Sequence, residues 1–127
     1  MIEIPISFGE LLDRITILEI KMARIDAPDK RRNVNHQLAL LEEIRALRLP
    51  REPRIDALQA QLREVNETLW EIEDALRERE RSASFDAAFI ELARSVYVTN
   101  DRRAALKRAI DEALGGELLE EKSYAPY

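Results

Sequence analysis

Apolar residues recur every three or four positions along most of the chain, which is the spacing of one buried face of an α-helix. In the second half the spacing alternates between three and four without a slip, as the a and d positions of a coiled coil do. One such seam comprises Ile55, Leu58, Leu62, Val65, Leu69, Ile72 and Leu76, and the next comprises Phe85, Phe89, Leu92, Val96, Thr99, Arg103, Leu106 and Ile110. The pattern predicts two long helices that form a coiled-coil-like hairpin.

Capping and breaking residues divide the chain into four helices. Ser7 and Glu10 form a capping box at the first start, in which the serine accepts from the backbone three residues on and the glutamate reaches back. Pro28 and Pro53 mark the next two starts, because proline disfavours helical geometry in the preceding residue and suits a first turn. The expected helices span 7–26, 28–49, 53–81 and 85–114, followed by a tail at 115–127.

The turn before the fourth helix is the stretch RSASF, with Ser82 or Ser84 as the cap, and the pair Gly115-Gly116 ends that helix as a left-handed C-cap. Short loops between long amphipathic helices place successive helices side by side and antiparallel. The chain is therefore predicted to be a single all-α domain, residues 1–127, folded as an up-down-up-down antiparallel four-helix bundle.

Four polar side chains fall on the predicted buried faces, one on each helix. In an antiparallel bundle with short loops, residues equally far from a turn lie at one level. On this arithmetic a single layer contains Glu19, Gln37, Asn66 and Arg103. An unpaired buried charge is costly, so Arg103 is expected to pair with Glu19 and to share its other donors with the two amides. We interpret the layer as a device that fixes helix register; the alternative is a ligand-binding or catalytic pocket, because paired, desolvated charges also cluster at functional sites.

Helix 3 carries an acidic stripe on the side away from its seam. Glu67, Glu71 and Asp74 can place carboxylates on one face for a magnesium ion, but such a site needs a facing carboxylate motif, and none has matching spacing. A solvated face is the ordinary outcome for charges opposite a seam, so no metal and no cofactor are expected. The chain has no cysteine and a single histidine, His36, which excludes thiolate and histidine-based metal sites.

Composition and charge narrow the functional classes. With 3 Gly, 5 Pro, 46% hydrophobic and 35% charged residues, the chain suits a helical protein better than a β-rich one. The net charge of −5 argues against a nucleic-acid surface. No apolar run approaches the roughly 18 residues of a membrane span, so none is expected and the location is predicted to be cytoplasmic. No nucleophile motif such as G-x-S-x-G appears.

The last two helices are longer than the first two, so the tip of their hairpin is predicted to project beyond the rest of the bundle. That tip and a mixed face on helix 4 form a candidate interface, whose members are Leu76, Phe85, Phe89, Ile90, Arg94 and Tyr97. An exposed apolar patch of this size is larger than monomers normally tolerate. The protein is therefore predicted to be a homodimer or a larger homo-oligomer.

Four stretches of the sequence resemble a family of short uncharacterised bacterial proteins, a domain of unknown function. They are ISFGELLDRITILEIK, EVNETLWEIEDALRERE, FDAAFIELARSVYVTNDRRAALK and EEKSY, which together span nearly the whole chain. The resemblance implies an all-helical bacterial protein, associated in some relatives with tetratricopeptide or glycosyltransferase segments, and hence a protein partner in surface-polysaccharide biology. It brings no activity and no catalytic residue.

The sequence thus favours an oligomeric helical interaction or accessory module over an enzyme. The alternative is a divalent-metal-dependent helical enzyme that acts on a phosphorylated or sugar-nucleotide ligand. The acidic stripe distinguishes the two, because a metal enzyme needs its carboxylates to converge on a cavity, whereas an interaction module leaves them in solvent.

Overall fold

The computed structural model contains four α-helices and describes residues 1–116, 120–121, 123 and 125–126. The helices are α1 (Phe8–Arg24), α2 (Pro28–Arg48), α3 (Pro53–Arg81) and α4 (Ala87–Ala113). No strand occurs among the residues described. The predicted fold class, an all-α antiparallel bundle in which the two longest helices pack most closely as a hairpin, is confirmed. The predicted tail at 115–127 lies partly outside the described residues.

Side-chain caps fix where α1 and α4 begin. Ser7 accepts a hydrogen bond at 3.1 Å from the N–H three residues on, which confirms the predicted first cap. At α4 the predicted serine cap is wrong, because Asp86 accepts from the N–H three residues on at 3.1 Å. A carboxylate is a stronger acceptor than a hydroxyl, and the hydroxyls of Ser82 and Ser84 bond each other and the end of α3 instead. Gly115 has φ +65°, which confirms the left-handed C-cap of α4.

The central element of the bundle is α1, which packs against each of the other three helices. The most deeply buried apolar side chains come from α1, α3 and α4, and they are Leu12, Ile15, Ile20, Ile55, Leu62 and Ile110. Because neighbours surround α1 on several sides, polar residues that would face solvent on an outer helix are buried on this one. Asp13 and Thr16 are fully buried.

The second helix packs against α1 and does not lie directly beside α3 or α4 among the described residues. Its link to α3 consists of side chains near the loop, where Arg45 donates to Asp56 and to Gln59, each at 3.1 Å. The arithmetic that equates levels across a turn assumes that the two helices lie side by side. It therefore does not apply to α2 and α3, and this is why it misplaced Gln37.

The backbones of α1 and α4 approach closely at Gly9. A Cβ atom on this residue would lie 2.3 Å from the carbonyl oxygen of Lys107, so a larger side chain forces one helix to move. The N–H of Gly9 also donates to the Asp111 carboxylate at 2.7 Å. The sequence thus uses glycine here to seat the first turn of α1 directly on α4.

The outer end of the α3–α4 hairpin extends past α1. The last residue of α1, Arg24, contacts Glu71 at 3.2 Å, and α3 continues for further turns beyond that point. Leu76 is only partly buried there, and the rings of Phe85 and Phe89 meet edge to face with centroids 5.2 Å apart. None of the described helices is both long enough and apolar enough to cross a membrane.

Candidate functional site

A buried hydrogen-bond network centred on Asp13 joins α1, α3 and α4. Arg103 donates from Nε to Asp13 Oδ1 at 2.9 Å and from Nη2 to Oδ2. Asn66 donates from Nδ2 to Asp13 Oδ1 and to Thr16 Oγ1, both at 2.9 Å. The hydrogen bond with Asp13 raises the pKa of Arg103 although burial alone would lower it. The network holds a carboxylate and a guanidinium as a bidentate pair inside the bundle.

Two members of the predicted polar layer are brought together and two are not. Asn66 and Arg103 meet, but on Asp13 and not on Glu19. Glu19 lies farther along α1, where Arg63 donates to it at 3.2 Å, and burial raises its pKa. Gln37 is exposed on α2. The predicted pairing of Arg103 with Glu19 is therefore wrong, and so is the buried position of Gln37.

The register between α1 and α4 accounts for the change of partner. The predicted layer places Glu19 beside Arg103, whereas Asp13 lies against Arg103 and Gly9 against Lys107. α1 is thus displaced along α4 by about six positions, or more than one turn and a half at 3.6 residues per turn. The cause is that α4 runs on past the start of α1 to Ala113, so the ends of the two helices do not lie at one level.

Further polar contacts continue the network toward the base of the bundle. Lys107, which is 7% exposed, lies between Glu10 at 2.6 Å and Glu120 at 3.2 Å. Burial alone would lower the pKa of Lys107, but the hydrogen bond and negative charge of Glu10 outweigh it and the pKa is raised. Asp111 is fully buried and accepts from the N–H groups of Gly9 and Glu120.

Sequence reasoning missed the residues that complete this network on α1 and α4. Arg103, Lys107 and Asp111 are spaced four apart, so they lie on one side of α4 next to its apolar seam. Charged residues repeated at that spacing beside a seam were a usable signal. Asp13 gives no such signal, because it lies opposite the apolar face that the periodicity of α1 defines.

A groove opens beside the Asp13 network between α1, α3 and α4. It encloses about 400 Å³ and is lined by Ile17, Ile20, Asn66, Leu69, Trp70, Glu73, Asp74, Arg77, Asn100 and Arg103. Asn66 uses its amide nitrogen on Asp13 and Thr16, so its carbonyl oxygen is the atom left to accept. The groove therefore combines apolar side chains with amide, guanidinium and carboxylate groups.

Asp74 is the member of the acidic stripe that lines this groove, and the three carboxylates of the stripe do not converge on one point. Glu67 accepts from Arg63 at 3.4 Å, Glu71 from Arg24 at 3.2 Å, and Asp74 lies 4.0 Å from Arg77. Within the described part of the chain, no three His, Cys, Asp or Glu residues stand close enough to hold a metal ion.

The outer face of α4 is apolar in the middle, has one charged residue on either side of that centre, and is apolar again beyond the charges. Its members, spaced along one side of the helix, are Ile90, Arg94, Tyr97, Val98, Asp101 and Ala105. At 100° per residue this face lies opposite the seam that packs on α3. Arg94 donates to Glu91 at 3.0 Å, and its Nε lies 3.4 Å from the Tyr97 hydroxyl, which raises the pKa of Arg94.

Comparison with known proteins adds one finding. A family model described as a family of unknown function, DUF6165, matches residues 2–126. The chain belongs to this family. No curated protein and no solved structure matches the chain significantly. The family drawn from the sequence stretches is confirmed, while its bacterial origin and its association with tetratricopeptide or glycosyltransferase segments stay predictions.

Proposed function

We propose that the protein is a self-associating helical module that works as a homodimer through the outer face of α4. The observation that carries the proposal is a group of exposed apolar side chains on one side of that helix: Ile90 is 55% exposed, Tyr97 44% and Val98 43%. Single exposed apolar residues are ordinary on protein surfaces. Neighbouring ones on one helix face, left uncovered, are typical of an interaction site.

The chemistry of the face favours a folded protein as its partner. It is a ridge on a helix, and a convex ridge does not enclose a small molecule as a cleft does. Its charges are mixed, with Arg94 toward one end and Asp101 toward the other. Anionic lipid surfaces and nucleic acids select predominantly basic faces, so neither is matched by this one. Tyrosine and arginine are enriched in protein interfaces, and this face carries both.

The alternative, a divalent-metal-dependent enzyme acting on a phosphorylated or sugar-nucleotide ligand, has less support. Its candidate ligands Glu67, Glu71 and Asp74 each lie beside a different arginine instead of facing a common point. Titration calorimetry with Mg²⁺ and Mn²⁺ distinguishes the two functions. Tight binding that Glu71→Gln abolishes would favour the enzyme.

Light scattering on purified protein tests the proposal. At micromolar concentration the expected mass is twice the 14.7 kDa of the chain. Val98→Glu places a charge in the middle of the α4 face and should yield the monomer mass, since a buried unpaired charge opposes association. The control is Ala60→Glu, which adds the same side chain at an exposed position on α3 and should leave the dimer intact. A monomeric wild-type protein contradicts the proposal.

A further inference from the structure

We infer that the outer face of α4 binds the same face of a second copy of the chain, antiparallel, about a twofold axis that passes between Tyr97 and Val98. This inference rests on the proposed function and adds the identity, orientation and register of the partner. It is carried by the order of residues along the face, which is complementary to itself when reversed.

In an antiparallel pair of helices, positions equally far from the axis on either side face each other. With the axis between Tyr97 and Val98, the aromatic ring of one copy meets the valine of the other. A symmetric interface repeats each contact, so both rings and both valines are covered together. The two most central apolar residues of the face thereby bury each other.

The charged residues of the face obey the same symmetry. Arg94 and Asp101 lie equally far from the axis, so each guanidinium faces Asp101 of the partner subunit. The dimer therefore contains two opposite-charge contacts, one on each side of the centre. Arg94 and Asp101 are seven positions apart on one helix, too far to pair directly with each other, and the second copy brings the two to one level.

The next pair of facing residues, farther from the axis, combines a large side chain with a small one. Ile90 lies at the same distance from the axis as Ala105, so the bulky side chain of one copy faces the small side chain of the other. Ile90 is 55% exposed in the single chain, and the methyl group of alanine leaves room for it between two closely packed helices. Alternation of large and small residues across facing positions is how helix surfaces interlock.

The two registers shifted by one heptad, and the parallel arrangement, bring like charges together. A shift of one heptad in either direction centres the axis on Arg94 or on Asp101, so that this residue faces its own copy. A parallel pair does the same at both positions. Like charges held at one level oppose association, so the charge pattern selects the antiparallel register centred between Tyr97 and Val98.

Among the described residues no other helix covers the centre of this face, and the nearest contact along it is that of Glu121 with Arg108, three residues beyond Ala105. The face lies opposite the side of α4 that packs on α3, and its central residues Tyr97 and Val98 are exposed. The contacts with α1 use Arg103 and Lys107, which point elsewhere. A second α4 can thus lie along the first without displacing a helix.

Two charge-reversal variants test the register. Arg94→Glu creates two contacts between carboxylates in its homodimer, and Asp101→Arg creates two between guanidinium groups. Each variant alone is expected to dimerise at least about tenfold more weakly than the wild-type protein, a change of about 1.4 kcal/mol. Mixed in equal amounts they should form a heterodimer, because Glu at 94 then faces Arg at 101 and Asp101 faces Arg94. Analytical ultracentrifugation measures the three dissociation constants, and native mass spectrometry identifies the heterodimer.

The matched control is Arg54→Glu, which reverses a charge at an exposed position of α3 and should not change the dissociation constant. Circular dichroism verifies that each variant is folded. If the wild-type protein dimerises and both reversal variants dimerise equally well, the register is wrong while the proposed function stands. If the variants are weak but the mixture is not restored, Arg94 and Asp101 do not face each other and the inference is overturned. A wild-type monomer removes the proposed function itself.

A cross-link supplies a second measurement that does not depend on charge. The chain has no cysteine, so a single introduced thiol reacts only with its copy. Val98→Cys lies next to the proposed axis and should form an intermolecular disulfide under mild oxidation, because such bonds need Cα atoms within about 7 Å. Ala57→Cys, exposed on α3, is the control and should remain reduced. Equal cross-linking of the two variants would overturn the register.

Discussion

Arg103 on α4 donates two hydrogen bonds to Asp13 on α1, from Nε to Oδ1 at 2.9 Å and from Nη2 to Oδ2. The two partners differ in their access to water. The side chain of Asp13 is 1% exposed, whereas that of Arg103 is 29% exposed at the edge of the groove. Loss of one partner therefore has a different consequence from loss of the other.

Arg103→Leu is expected to lower the free energy of unfolding by about 3–5 kcal/mol, because it leaves the buried Asp13 carboxylate without a cation. Asp13→Leu should cost less, since the guanidinium left behind can turn toward water in the groove. The double variant should recover much of the larger loss, because two apolar side chains suit the site. Urea denaturation of the three variants measures these differences. A double variant no more stable than Arg103→Leu would contradict the prediction.

Gly9→Ala is expected to destabilise the protein by about 2–3 kcal/mol through overpacking. The added methyl group collides with the backbone of α4 at Lys107, and a shift of α1 weakens the hydrogen bond from Gly9 to Asp111. Gly115→Ala is the control: at φ +65° it adds strain of about 1 kcal/mol but meets no atom within 4 Å. Thermal unfolding of both variants ranks the two costs, and equal losses would show that the close approach is unimportant.

The contact of Lys107 with Glu10 predicts how stability depends on pH. Burial alone would raise the pKa of Glu10, but Lys107 and Arg14 outweigh it and the pKa is lowered. The contribution of Glu10 to the stability of the fold is therefore present above the ordinary pKa of 4.5 and is lost as pH falls through the folded pKa. The pKa of Lys107 is raised, so its contribution is present below 10.5 and is lost as pH rises through the folded pKa.

Lys107→Met should remove the alkaline loss and reduce the acid loss, because without its main partner the burial of Glu10 raises its pKa toward or above the ordinary value. Urea midpoints measured from pH 3 to pH 11, for both proteins, check this. A variant whose acid profile coincides with that of the wild-type protein would contradict the contact.

Glu19→Gln is expected to leave stability at pH 7 unchanged or to raise it by a few tenths of a kcal/mol. Burial raises the pKa of Glu19, so the folded state disfavours its ionised form, and this unfavourable contribution disappears as pH falls through the folded pKa. Asp13→Asn makes the same chemical change at the carboxylate that Arg103 binds and should cost about 2–3 kcal/mol. Chemical denaturation measures the free energy of unfolding of both variants. A larger loss for Glu19→Gln than for Asp13→Asn would support the polar layer around Glu19 that the sequence predicts.

The helices were predictable because local signals define them. The unbroken alternation from Ile55 to Leu76 predicts α3, and Ser7 and Gly115 mark ends that the structure confirms. The cap of α4 was missed because the stretch before the helix contains two serines and one aspartate, all of which can cap a helix. Which of them accepts from the first N–H groups depends on the path of the backbone, and the sequence pattern does not show that path. Asp86 is the cap because the serine hydroxyls already form hydrogen bonds at the end of α3.

The site was predictable only in part. Arg103 and Asn66 were found because each interrupts an apolar face. Their partner was not, because burial on α1 is set by three neighbouring helices and periodicity reveals only one face at a time. Because α1 is displaced along α4, Arg103 binds Asp13, and Glu19 binds Arg63 instead. The position of one helix along the axis of another depends on where their lengths differ, and a single sequence does not show it.

The central position of α1 has a consequence for how the chain folds. Its contacts with α4 join residues 90 and 102 positions apart, whereas α3 and α4 are neighbours in the chain and can pair through local contacts. Closing long loops is slow, so the hairpin is expected to form before α1 docks. During synthesis α1 is made first, yet its apolar surface has no complete partner until α4 exists. In that interval the nascent chain is most exposed to wrong association with other molecules.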